Sequence, residues 1–123
     1  MSSPAATSLT ITRQEQDQRP VLVLAGGLDA TTAPQLATLA VTLIDQGARD
    51  IIVDASGLTS CDAEGVSVFA QINSRLRARA GRLALAALTP VVRQELEASG
   101  LADSFVVAAS VPAALYAIHR DHP

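Results

Sequence analysis

The stretch Ile51-Ile52-Val53-Asp54-Ala55-Ser56-Gly57-Leu58-Thr59-Ser60-Cys61-Asp62-Ala63-Glu64-Gly65-Val66 decides how the rest of the chain is read. Its three leading β-branched residues predict a short buried strand over 51–53. A polar loop follows, and Asp62 with Glu64 marks the first turn of a helix. A strand–loop–helix junction displays backbone N–H groups and side chains at one exposed point, where anions bind, phosphoryl groups are received or partners dock. This junction is itself acidic, which argues against an anion pocket and for a surface read by another protein.

Outward from there, the chain alternates between strand and helix patterns. Residues 9–13 alternate apolar and polar side chains, as a half-exposed edge strand does, and residues 21–25 form a continuous apolar run typical of a buried strand. Gly26-Gly27 breaks that run. Thr32-Ala33-Pro34-Gln35 carries helix-start chemistry: a Thr cap, Pro in the first turn and Gln at the capping-box position. Leu36, Leu39, Ala40 and Leu43 continue at helical spacing to a stop at Gly47. A helix over about 63–80 places Val66, Phe69, Ile72 and Leu76 on one face, has Arg75, Arg77 and Arg79 near its end, and ends at Gly81. Residues 83–88 read as a strand, Thr89-Pro90 opens a helix that stops at Gly100, and 105–108 form the last strand. Ser110-Val111-Pro112 opens a final helix through Ile118, before a polar tail over 119–123. The order β-β-α-β-α-β-α-β-α implies right-handed crossovers. The expected fold is one α/β domain over residues 1–123, its core about 9–118 between short polar tails. It has a mostly parallel four- to five-stranded sheet, with helices packed chiefly on one face.

Composition removes whole classes of function. The chain has 123 residues, enough for one domain with a real core. Apolar residues make up 49%, yet there is no Trp, one Tyr and two Phe, so the core is built from Ala, Val, Leu and Ile, as suits helices on a parallel sheet. All nine basic residues are Arg and the net charge is −3, which leaves no basic footprint for nucleic acid. The Arg-for-Lys bias and the many Ala suggest a GC-rich bacterial genome. One cysteine, Cys61, excludes a disulfide framework and a cysteine metal cluster. No apolar run reaches membrane-spanning length, and residues 1–8 lack the basic and apolar regions of a signal peptide. The expectation is a cytoplasmic protein with no metal or cofactor.

Enzyme chemistry finds little support. Gly26-Gly27 lacks the dinucleotide fingerprint and the Lys-Ser/Thr of a phosphate loop. His119 and His122 read as solvated tail residues rather than an acid/base pair. Cys61 beside Asp62 reads as a small buried thiol, since an adjacent carboxylate opposes thiolate formation. Asp54 and Asp62 as a Mg2+ pair lack the phosphate-binding loop such a pair serves, and strand-end aspartates more often cap turns.

The residues do carry a family resemblance. Gly26-Gly27-Leu28-Asp29-Ala30-Thr31-Thr32-Ala33-Pro34-Gln35-Leu36 resembles the Gly-Glu-Leu-Asp-x-x-x-Ala-Pro-x-Leu segment of STAS domains, the fold of bacterial anti-sigma factor antagonists. Residues 51–65 resemble the family's strand with Asp-x-Ser-Gly and then Asp-Ser-Ser-Gly. Gly81-Arg82-Leu83-Ala84-Leu85 and residues 92–101 resemble its later Gly-strand and Leu-x-x-x-Gly-Leu segments. The likeness runs from residue 9 to about 118, and the order and spacing of the segments are its most specific feature.

That resemblance implies an anti-sigma factor antagonist working by partner switching, not an enzyme. Its implied partner is an anti-sigma factor of the serine-kinase, histidine-kinase-like ATPase type. In the family the second Ser of Asp-Ser-Ser-Gly accepts phosphate from that kinase. Residue by residue, Asp62 matches the Asp, Ala63 the first Ser, Glu64 the phosphoacceptor and Gly65 the Gly. Glu64 has no hydroxyl, so it offers about one negative charge where phosphoserine offers about −1.5 to −2 with three acceptor oxygens. It is a first-turn carboxylate favoured by the helix dipole under any reading. Beyond that it marks either an antagonist released from phosphorylation control or a permanently phospho-like form. The expected partner surface comprises Asp29, Thr59, Ser60, Asp62, Ala63, Glu64 and Gly65. Ser60 is the nearest alternative phosphosite, although loop capping suits Ser56, Thr59 and Ser60 as well. Asp29 and Asp54 read as turn-stabilising strand-end residues. Two other readings stay open: a STAS subunit of an ABC-type membrane lipid-transport complex, and a small-ligand-binding STAS protein.

Overall fold

The computed structural model describes residues 8–121. Five strands and four α-helices follow one another as β1 (Leu9–Gln16), β2 (Arg19–Leu28), α1 (Ala33–Asp45), β3 (Ile51–Cys61), α2 (Ala63–Arg77), β4 (Leu83–Ala86), α3 (Pro90–Ser99), β5 (Val106–Ala108) and α4 (Val111–Asp121), with a short 3-10 turn at Ala102–Ser104. The strands lie in the order β1-β2-β3-β4-β5, antiparallel between β1 and β2 and parallel elsewhere. The expected fold class and the edge strand are present, and the two most apolar segments, in β2 and β3, pair in parallel.

The two faces of the sheet are covered unequally. Leu22, Leu24, Ile51, Val53, Leu83 and Leu85 share one core with Leu36, Leu43, Phe69, Leu76 and Leu96 from α1, α2 and α3. Phe69 meets Phe105 edge to face, with ring centroids 6.5 Å apart. Val21, Ile52, Ala84 and Ala86 point the other way, onto Ala114 and Ile118 of α4. Continuous apolar runs are what a strand with both faces buried requires.

Several local expectations change. The polar loop after residue 53 does not exist: β3 runs on to Cys61, paired with β2 as far as Leu28↔Cys61. Register shifts between Val23 and Ala25 and between Gly26 and Gly27 each place an extra β3 residue against β2, and such bulges hold polar residues in a strand without interrupting it. Thr32 does not cap α1; its hydroxyl accepts from Asp29 N (3.0 Å) and donates to the Gly27 carbonyl (2.9 Å), tying the turn to the end of β2. Gln35 forms no capping box, because its amide donates to the Leu9 carbonyl at 3.0 Å. The strand from residue 83 stops at Ala86, where Ala87 turns to a φ of 57°. His119 belongs to α4 and not to a tail, whereas His122 lies outside the described residues.

Two glycines end helices. Gly47 (φ 102°) and Gly100 (φ 75°) take the left-handed conformation that ends α1 and α3. At the end of α2 that role falls to Ala80 (φ 62°), while Gly81 N–H bonds the Leu76 carbonyl at 2.8 Å. Gly81 is held for another reason: a Cβ there would sit 1.5 Å from the Arg49 carbonyl oxygen. Beside it the buried Asp50 accepts from Arg82 N (2.9 Å) and from the Arg19 guanidinium (3.4 Å), joining the starts of β2, β3 and β4.

Gly81→Ala should therefore cost roughly 2–4 kcal/mol, because backbone must move to admit the methyl group. Gly47→Ala meets nothing within 4 Å and carries only its conformational penalty, about 1–2 kcal/mol. Urea unfolding midpoints compared at constant slope check the order; equal midpoints would refute the backbone-overlap account.

Candidate functional site

The candidate surface is assembled by the adjoining ends of β2 and β3. Because Leu28 pairs with Cys61, the residues that follow, Asp29 and Asp62, leave the sheet side by side, and Asp62 N–H bonds the Leu28 carbonyl at 3.2 Å. Asp29 turns back on its own chain: its Oδ1 accepts from Thr31 N (2.9 Å), the Thr31 hydroxyl (2.7 Å) and Thr32 N (3.3 Å). It is half-buried and stabilises the turn into α1. Asp62 is the N-cap of α2, its Oδ1 accepting from Gly65 N at 3.1 Å. Asp54 likewise stabilises its own strand, accepting from Ser56 N at 3.0 Å.

Of the three carboxylates at this junction, Asp29 and Asp62 are held by these bonds, and Glu64 stands exposed in the first turn of α2. Ala63 is exposed beside it. Thr59 and Ser60 are also exposed, on the last residues of β3, where Thr59 donates to the Gly26 carbonyl at 3.1 Å. Gly65 differs from its neighbours in being buried. A Cβ on it would stand 2.8 Å from both the Cys61 Sγ and the Leu28 carbonyl oxygen, so its part is to let the helix start lie close on the strand ends. The expected set therefore clusters, with Asp62, Ala63, Glu64, Thr59 and Ser60 on the surface and Asp29 and Gly65 supporting it.

The sequence reading missed the second wall of this surface. An open cleft of about 280 Å³ runs between α1 and α2, lined on one side by Ala33, Pro34 and Ala37 and on the other by Glu64, Ser67 and Gln71. Glu64, Ser67 and Gln71 fall at helical spacings of three and four, a signal present in the sequence. The α1 wall was not legible, because its approach depends on the α1–α2 packing. Among the described residues no group of three or more acidic, histidine or cysteine side chains could hold a metal ion, and no helix is long and apolar enough to cross a membrane.

Cys61 lies beneath the surface. Burial first, then the carboxylates of Asp62 and Glu95, pushes its thiol up from 9.0 to about 12. The neutral thiol adds stability that is full below the unfolded value and is lost as pH rises from about 9 to about 12, since in that window only the unfolded chain releases the proton. A thiol-reactive dye should label the native protein very slowly at neutral pH and rapidly in denaturant; fast native labelling would overturn this assignment. Asp62→Ala should remove the N-cap at a cost of about 1 kcal/mol by urea unfolding.

Comparison with known proteins places the fold. A family model described as "Mlab, STAS domain" matches residues 11–108. A search of curated protein sequences finds no match. Among solved structures, the chain is similar to an anti-sigma factor antagonist from Mycobacterium paratuberculosis, with TM-score 0.83 and 23% identity over 97% of this chain and 99% of that one. It is similar to the anti-sigma factor antagonist SpoIIAA of Bacillus in its unphosphorylated form, with TM-score 0.73 and 27% identity over 94% and 97%. A serine-to-glutamate variant of RsbS from Moorella thermoacetica shares the fold at TM-score 0.76 and 18% identity, over 89% and 95%. The family match spans most of the length, and the chain belongs to the STAS domain family.

Proposed function

We propose that this protein is a regulatory binding module of the anti-sigma factor antagonist kind. It docks a kinase-type anti-sigma factor through the exposed start of α2 and the adjoining strand ends, and so acts on sigma-factor-dependent transcription by partner switching. The observation that carries this reading is the free Glu64 carboxylate, exposed on a helix start whose other acidic neighbours are bound into their own turns. A docking surface needs groups available to a partner, and Glu64, Ala63, Ser60 and Thr59 are such groups. The STAS fold and the antagonist neighbours support the same role.

In this reading Glu64 stands in place of the phosphoacceptor serine. A kinase that phosphorylates a serine there finds no hydroxyl, so the docking state is fixed by sequence rather than by modification. The match to a family model bearing the name Mlab favours a second reading with the same surface and a different partner, the ATPase of a membrane lipid-transport complex. Capture from the source organism separates the two: a sigma-factor regulator supports the first, transporter components the second.

Two measurements test the surface. Incubation with labelled ATP and a homologous anti-sigma kinase should give no label at Glu64; stoichiometric label on Ser60 or Thr59 would show that the acceptor has moved. Glu64→Lys should weaken partner binding strongly in calorimetry while costing only about 1 kcal/mol of helix stability. Glu64→Ala decides the role of the carboxylate, since tighter binding marks a phosphate-like brake and weaker binding a contact. Unchanged affinity in both variants removes the start of α2 from the interface.

A further inference from the structure

The outer edge of β1 is long and regular. Its register with β2 runs without a shift from Leu9↔Gly26 to Gln16↔Arg19, and it contains no proline. Edge strands are usually protected by shortness, charged side chains, proline, bulges or a covering element; β1 has the charges of Arg13 and Glu15, which are opposite in sign. The opposite edge of this sheet follows that rule, β5 having three residues. At β1 no described element pairs with the outer side.

The direction of each backbone group can be read from the ladder. Gly27 N–H bonds the carbonyl of Ser8, its opposite residue, so this pair is a hydrogen-bonded one. Alternation then aims Thr10, Thr12, Gln14 and Gln16 at β2, and turns the N–H and C=O groups of Leu9, Ile11, Arg13 and Glu15 outward. The outward Leu9 carbonyl is already taken by the Gln35 amide. The usable edge is therefore Ile11, Arg13 and Glu15, and two of those three carry opposite charges.

We infer that the outer edge of β1 binds a second copy of this chain, the two strands pairing antiparallel about a two-fold axis at Gln14. In that register Arg13 faces Glu15 of the other copy and Glu15 faces its Arg13. Both are hydrogen-bonded pairs, and each exchanges its two backbone bonds. The neighbouring registers are poorer. A two-fold at Arg13 or at Glu15 sets like charges opposite each other, and one at Thr12 needs the Leu9 carbonyl that Gln35 holds. Self-complementarity of this kind is what a two-fold contact requires. The contact joins the two sheets edge to edge and is centred toward the hairpin, whereas the start of α2 lies beyond the other end of β2. The inference is thus independent of the partner-docking reading, and either can fail alone.

Cysteine crosslinking of the full chain tests it. Gln14 would face its own copy at a non-hydrogen-bonded site, about 4.5 Å between Cα atoms and within disulfide reach. Thr12 would face Gln16 of the other copy and lie about 13 Å from its own equivalent, out of reach. Gln14→Cys should form a disulfide-linked dimer under mild oxidation, with Thr12→Cys and the parent, whose Cys61 is buried, remaining uncrosslinked. Adding Arg13→Glu or Glu15→Arg to Gln14→Cys should slow crosslinking roughly tenfold, and both together should restore it. Crosslinking of Gln14→Cys no faster than Thr12→Cys would overturn the proposal. So would single charge changes without effect, or a double change that fails to recover, in variants whose circular dichroism matches the parent.

Discussion

The approach of α2 to the ends of β2 and β3 is the constraint on which the candidate site depends. Gly65 lies so close to the Leu28 carbonyl and the Cys61 sulfur that any side chain would meet both at 2.8 Å. Close packing at this point sets where Asp62, Ala63 and Glu64 emerge, because all three lie within one turn of Gly65. The parallel β2–β3 pairing supplies the other half of the constraint by ending both strands at the same level. Precision in a site built on loops alone would have to come from elsewhere; here it comes from a helix seated on a sheet.

Electrostatics then divides the acidic residues by task. Helix starts favour negative charge, so Asp62 and Glu64 are placed where the α2 dipole stabilises them. Asp62 answers this by capping and Asp29 by closing its turn, and each uses its lone pairs on its own backbone. Of these three, Glu64 keeps its carboxylate for solvent or a partner. A partner docking as proposed would meet that charge on a fixed helix turn. Charge reversal there costs folding little, since an exposed first-turn charge contributes about 0.3–1 kcal/mol.

Much of this was legible from residue order, and the failures share a cause. Apolar periodicity identified every strand and α-helix, and the glycines at 47 and 100 marked true helix ends. The stretch after Val53 misled because Asp54, Ser56, Thr59 and Ser60 look like loop residues. Pairing with β2 and two bulges hold them in β3, and bulges leave no simple mark in a sequence. Thr32 and Gln35 have the right spacing for a capping box, but Thr32 turns back on the end of β2 and Gln35 reaches a β1 carbonyl that only tertiary structure brings near. The same limit hid the α1 wall of the cleft beside Glu64. Local chemistry was readable for Asp29 and Asp54, whose partners lie within a turn, and unreadable where the partner came from another element, as for Gln35.

A fixed glutamate at a helix start also differs from a phosphoserine in what it can recruit. A phosphate carries three acceptor oxygens and most of a second charge, enough to engage several donors together. A carboxylate offers a planar pair of oxygens, matched to a single guanidinium fork. The cleft between α1 and α2 adds small apolar walls and the Ser67 and Gln71 side chains beside that carboxylate. A partner suited to this chain would therefore combine one cation opposite Glu64 with a narrow side chain entering between the helices. With a single fixed charge, the specificity of such a contact must come from shape, and shape here is set by the same packing of α2 that Gly65 permits.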